Sequence, residues 1–256
     1  MNGPATRRAV TELGAGARTL VFVHGLGVDQ RVWSALAPRF ATDHRVVLFD
    51  LVGETSGRNA TLEDFARDLL EVVASVRSDE PPIVVGHSLG AALCVLAASL
   101  QPSFASHLVL MLLSPRFLDD LPDYRGGFSD DDLNEILGAM DHNFVDWAMS
   151  FGAFVAPQAD VGAWMGTSIA ASDPRSTRRL TELAFRADLR PILPRVTLPT
   201  LSIQSRADPV IPYEAGHLVA ASIPHARETV LDVPGHCPHL SHPALVERAI
   251  REYLSA

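Results

Sequence analysis

The chain holds no lysine. All 21 of its basic residues are arginine, which excludes a Schiff-base lysine, a pyridoxal-phosphate anchor and the lysine of a phosphate-binding loop together. Cysteine is nearly as scarce. Cys94 and Cys237 stand far apart, so no disulfide framework is expected, and the usage fits a reducing compartment. The longest apolar runs, such as Leu108–Leu113 and Ala91–Ala98, fall short of the roughly 18 residues that a membrane span needs. Met1–Arg8 is polar and arginine-tipped with no apolar stretch behind it, so a cytoplasmic protein is the expectation. Positive charge is also in deficit. A net charge of −9 argues against a nucleic-acid partner and against an anionic membrane surface, both of which call for a basic face.

What is present is an ordinary globular composition: 256 residues, 47% hydrophobic and 20% charged. At about 150 residues per domain this is one or two domains, and disorder and fibrous repeats are excluded. Short apolar runs without alternation recur at Thr19–Val23, Arg45–Phe49, Ile83–Val85, Leu108–Leu113, Thr200–Ile203 and Thr229–Val233. Runs of this kind predict strands buried on both faces, hence a mostly parallel sheet covered by helices. Leu62–Arg77 carries an apolar stripe of helical period opened by Thr61 as N-cap, and Pro243 marks the first turn of a helix through Leu254. The strand–helix alternation predicts an open α/β fold.

It breaks across residues 117–193, where no strand pattern appears. That stretch has acidic helix starts at Ser129–Asp132, a second start at Asp173-Pro174, and aromatics at Phe144, Trp147, Phe151, Phe154 and Trp164. It predicts a four-helix lid inserted between two parts of a core, residues 1–116 and 194–256.

One motif carries chemistry. Gly86-His87-Ser88-Leu89-Gly90 follows an apolar strand and precedes an alanine- and leucine-rich helical run. A serine on so sharp a turn needs small neighbours two positions away on each side, and the turn lifts its hydroxyl above the sheet. The Leu89 N–H at the helix start is a candidate oxyanion donor. Leu20–Val23 runs into His24-Gly25-Leu26-Gly27, where the Leu26 N–H is the candidate second donor.

A serine nucleophile needs a base. Among ten histidines, His236 fits best, in a Pro-Gly-His loop after the last apolar strand. The acid is expected between serine and histidine in the chain, at a strand end. Asp208 fits; Asp232 and Asp50 are the rivals. His236, Cys237, His239 and His242 also have the composition of a zinc site, but Pro238 and Pro243 interrupt any helix that would align them, and no second ligand cluster is evident. Beside the candidate base, Cys237 could be chemically exposed; Cys94 reads as core.

Taken together, these residues resemble the α/β-hydrolase superfamily. More narrowly the chain is similar to the group holding the bacterial stress-response hydrolase RsbQ and the plant karrikin and strigolactone receptors. The resemblance is carried by His24-Gly25-Leu26-Gly27 with Asp29-Gln30 and Val32-Trp33, by Gly86–Gly90, by Ser114-Pro115-Arg116-Phe117, by Asp123-Tyr124 and Gly126-Gly127-Phe128, by Asp188, and by Gly235–His239. It implies a lid over an apolar pocket, a Ser88–His236–Asp208 triad, and pocket positions at Leu26, Tyr124, Leu137, Trp147, Phe151 and Phe185. Leucine at 26 and 137, where many relatives carry phenylalanine, implies a wider pocket. The loop of residues 51–60 is shorter than the family's.

The expectation is therefore a serine hydrolase of small apolar carboxylic esters or lactones, with no metal or organic cofactor. The resemblance equally implies an alternative, a slowly hydrolysing small-molecule receptor whose lid contacts a regulatory protein such as a phosphatase. A perhydrolase on the same triad is a third.

Overall fold

The computed structural model describes residues 9–51, 60–76 and 78–255. The amino-terminal stretch Met1–Arg8 and most of the short loop of residues 51–60 lie outside the described residues.

A seven-stranded sheet forms the centre. Its strands are β1 (Val10–Leu13), β2 (Thr19–Val23), β3 (Arg45–Phe49), β4 (Ile83–His87), β5 (His107–Met111), β6 (Thr200–Ala207) and β7 (Ala226–Pro234). The spatial order is β1-β3-β2-β4-β5-β6-β7. Only β1 pairs antiparallel, at the edge against β3; every other pairing is parallel. The helices are α1 (Ala37–Phe40), α2 (Leu62–Ser75), α3 (Leu89–Leu100), α4 (Asp130–His142), α5 (Phe144–Val155), α6 (Ala159–Ala170), α7 (Pro174–Arg186), α8 (Tyr213–Ser222), α9 (Pro238–Ser241) and α10 (Pro243–Leu254).

The apolar runs of β2 to β6 become strands because helices cover the sheet on both sides. The run in β7, at the other edge, is only partly buried, with Asp232 exposed between Leu231 and Val233. Val21 and Val23 of β2 pack with α2 and α3, whereas Leu20 and Phe22 pack with α1 and α10. The two-residue period of a strand divides one run between two cores. Helix α2 starts where expected, with Thr61 and Asp64 forming a reciprocal capping box.

Several elements differ from the sequence reading. β5 stops at Met111 rather than Leu113, where Leu112 turns left-handed (φ 49°) and gives its N–H to the Ile203 carbonyl. β1, α8 and the one-turn helices α1 and α9 have no counterpart there: β1 is a short, largely exposed edge strand, and edge strands carry little hydrophobic signal.

Helices α4–α7 all lie between β5 and β6 in the chain. The two ends of this insertion are stapled together. The Leu189 N–H donates to the Pro115 carbonyl at 2.8 Å, and Arg190 pairs with Asp188 and Asp120 while Arg116 also holds Asp120. The Arg190 guanidinium lies 4.6 Å from the centre of the Tyr124 ring. Among the described residues, no helix is long and apolar enough to cross a membrane.

Candidate active site

Register alone brings the candidate residues to one end of the sheet. Val23 of β2 is paired with Gly86 of β4, so the His24–Leu26 turn emerges beside His87-Ser88. Ala207 of β6 is paired with Pro234 of β7, so Asp208 and Gly235-His236 emerge side by side. All leave the carboxyl ends of parallel strands, and β2 and β4 flank the point where the strand order reverses, the place where open α/β sheets bind their ligands.

Ser88 occupies the turn between β4 and α3 with φ 53° and ψ −117°, a conformation that a non-glycine residue adopts only when its surroundings enforce it. The enforcement is visible on both sides. A Cβ on Gly86 would lie 2.7 Å from the Ala91 backbone, and one on Gly90 would collide with the Val23 carbonyl oxygen. The Ser88 N–H donates to the Met111 carbonyl at 2.9 Å, pinning the turn to β5.

His236 is held from four directions. Its Nδ1 lies 2.7 Å from Asp208 Oδ2. Its own N–H donates to the Val155 carbonyl at the end of α5 (2.7 Å), and the preceding Gly235 N–H donates to the Ala207 carbonyl (2.9 Å). Its carbonyl accepts from His87 Nε2 at 2.8 Å. Asp208 turns its other oxygen, Oδ1, to the N–H groups of Val210 (2.8 Å) and Ile211 (3.3 Å). Both side chains are nearly buried. With the carboxylate accepting on Oδ2, the Nδ1 proton is fixed and Nε2 is left free to accept. Asp232, by contrast, is 90% exposed and faces Arg206 at 3.4 Å. Asp50 accepts from the Gln30 N–H.

Ser88, His236, Leu26 and Leu89 line one cavity of about 40 Å3, walled by Phe151, Phe185, Val155 and Met165. Leu89 is the first residue of α3, where backbone N–H groups have no partner within the helix. Sharing Leu26, Phe151 and Phe185, a vestibule of about 300 Å3 adjoins it, lined also by Trp147, Phe154, Phe128 and Ile136. Trp147 and Phe151 stack at 5.2 Å, so the rings of α5 make one continuous wall.

Two expected pocket residues stand elsewhere. Leu137 is buried inside the insertion with Leu118, Leu133 and Met140, because its face of α4 turns toward α7. Tyr124 lies under Arg190 and donates its hydroxyl to the Arg116 carbonyl at 2.6 Å, which makes it part of the staple. The cavity instead recruits Val28, Phe117, Met165 and Val210, which come from four different segments and share no local sequence pattern. Phe154, three residues beyond Phe151 on α5, carried the one available signal, helical spacing.

The histidine cluster also reads differently in space. Cys237 is buried, not exposed; burial and then the Asp208 carboxylate push its thiol pKa far up, so it is an inert core residue. His239, in α9, is completely buried against Trp33 (4.9 Å) and His87 (4.3 Å). Neither of its ring nitrogens has a partner among the described residues. Burial, helped by the nearby His236, lowers its pKa from 6.5 to about 3, and burial holds His87 well below its ordinary value too. Both are therefore neutral when folded, whereas the unfolded chain binds their protons below about pH 6.5. Stability is then full above that pH and is lost as the pH falls toward the folded-state values. The unfolding temperature should decline on acidification from about pH 7 to 4, and His239→Leu should flatten that decline in a thermal-melt series.

Comparison with known proteins shows the family and the fold. The profile of the Alpha/beta hydrolase family matches residues 20–249. A probable esterase of Oryza sativa subsp. japonica is 37% identical over 91% of this chain and 90% of its own. The Karrikin insensitive 2 receptor CA of Petunia hybrida is 33% identical over 91% of this chain and 90% of its own. A hydrolase from Oleispira antarctica superposes with a TM-score of 0.90 at 26% identity, covering 97% of this chain and 95% of that one.

Proposed function

Since the chain belongs to the alpha/beta hydrolase family, we propose that it is a serine hydrolase that cleaves small apolar carboxylic esters or lactones through an acyl-enzyme. The observation that carries this reading is the 2.7 Å contact between His236 Nδ1 and Asp208 Oδ2, made at the wall of the cavity that Ser88 also lines.

Ser88 Oγ attacks the ester carbonyl as its proton passes to His236 Nε2, and Asp208 stabilises the imidazolium that forms. The N–H groups of Leu26 and Leu89 hold the oxyanion, each contributing about 3 kcal/mol. The proton then moves from His236 to the departing alkoxide. Water repeats the sequence on the acyl-enzyme and releases the acid. The walls support this substrate class. The chamber at Ser88 is small, and the vestibule beyond it is aromatic, so the reacting carbonyl sits in a tight apolar site and larger apolar groups extend toward α5. Insertion helices α4–α7 act in this reading as the lid.

The relative described as a receptor supports a second reading, a ligand sensor that turns over slowly and uses the lid to engage a regulatory protein, such as a phosphatase. Hydrolysis of a chromogenic short-chain ester separates the two. Repeated turnover that a serine-reactive probe on Ser88 blocks supports the enzyme. A single turnover accompanied by a ligand-induced shift in unfolding temperature supports the sensor.

A further inference from the structure

The cavity at Ser88 has a second neighbour, which shares no lining residue with the aromatic vestibule. A chamber of about 10 Å3 shares the walls Ser88, Leu89, Phe117 and Ala184 with it. That is about the space of one water molecule. Through Leu62, Ala187 and Leu189 the chamber in turn adjoins a groove of about 410 Å3 between the start of α2 and the end of α7. Ser88 thus stands midway along a chain of adjoining cavities with two different ends.

The ends differ chemically. The polar side-chain groups among the residues lining the vestibule are the hydroxyls of Ser150 and Thr181 and the indole N–H of Trp147, and the Thr181 hydroxyl already donates to the Thr177 carbonyl at 2.8 Å. The groove is lined by Leu62, Leu96, Leu183 and Ile192 but also by Thr61, Glu63, Arg179, Glu182, Arg186 and Asp188, charged and polar groups that favour hydration. Apolar surface favours the substrate at one end, and hydrated ionic groups favour water at the other.

We propose that the water that hydrolyses the acyl-enzyme reaches Ser88 from the groove, through the neck at Ala187, while the vestibule is occupied by apolar parts of the substrate. This rests on the serine-hydrolase reading and assigns its two reactants separate paths. The water oxygen bonds to the acyl carbon as its proton moves to His236 Nε2. The bond from that carbon to Ser88 Oγ then breaks, Oγ takes the proton from His236, and the carboxylic acid leaves. Two small residues of α7 and its end keep the path open. Ala184 and Ala187, three apart, turn the same side of the helix end toward the chamber.

Ala187 touches the chamber and the groove but not the cavity at Ser88, so a larger side chain there meets the neck before it meets the reacting atoms. In single-turnover reactions with a nitrophenyl ester, Ala187→Phe should leave nitrophenolate release at the wild-type rate. Decay of the acyl-enzyme, followed by intact-protein mass spectrometry, should slow several-fold. Ala187→Ser should decay like the wild type, and Ala187→Met, a gentler filling, should fall between and serves if the phenylalanine variant does not fold. Unchanged decay in a folded Ala187→Phe or Ala187→Met variant overturns the proposal, as does equal slowing of both steps, which marks a general disturbance of α7. If the wild type forms no acyl-enzyme at all, the hydrolase reading fails with it; a wild-type adduct with unaltered decay in the variants sinks the water path alone.

Discussion

Ser88→Ala is expected to remove ester hydrolysis almost completely, with kcat falling by about 10^6-fold and the thermal unfolding midpoint unmoved. Among the described residues that line the chamber, Ser88 carries the one hydroxyl. His236→Ala should cost about as much, and the double variant no more than either, because nucleophile and base act on one proton. The fold should tolerate all three. The turn is enforced by Gly86, Gly90 and the Ser88 backbone rather than by the hydroxyl. Steady-state rates on a nitrophenyl ester, read beside a thermal melt, check the pair of statements together. Near-normal rates in folded Ser88→Ala would refute the proposed chemistry.

Asp208→Asn is expected to lower kcat by about 10^4-fold while leaving substrate binding close to normal. The carboxylate now takes the Nδ1 proton on one oxygen and two backbone N–H groups on the other. An amide can satisfy the backbone donors only with its single oxygen, which turns its NH2 toward Nδ1. The ring must then accept at Nδ1 and carry its proton on Nε2, where it cannot receive one from Ser88. Asp232→Asn is the matched control. Its side chain is exposed and meets Arg206 across the surface, so its rate should stay near that of the wild type. A reversed pattern, Asp232→Asn dead and Asp208→Asn active, would move the acid to β7.

Much of this arrangement can be read from the chain because the signals are local. Ile83–Val85 is apolar throughout and is followed at once by Gly-x-Ser-x-Gly, so strand, turn and helix start are each dictated within a few residues. Thr61, Ser129 and Asp173 cap helices by bonding the N–H three residues on, which needs nothing from the rest of the molecule. Asp208 and His236 are legible as residues just past apolar strand runs. The misplaced residues are those whose fate depends on distant partners. Tyr124 carries a pocket-like side chain, but Arg190, far along the chain, captures its ring. Cys237 lies beside the base in sequence, yet the short helix that follows turns it into the core.

Residue order by itself determined a mostly parallel sheet, an inserted helical segment and the three side chains proposed for catalysis, since periodicity, capping and turn chemistry act over one turn or one strand. Tertiary structure alone decided that Ala207 meets Pro234 and Val23 meets Gly86, which aromatic rings face Ser88, and which cavities adjoin. Those outcomes depend on strand register and helix packing between segments as many as 149 residues apart, as His87 and His236 are, and no local pattern encodes a distance that long-range packing sets.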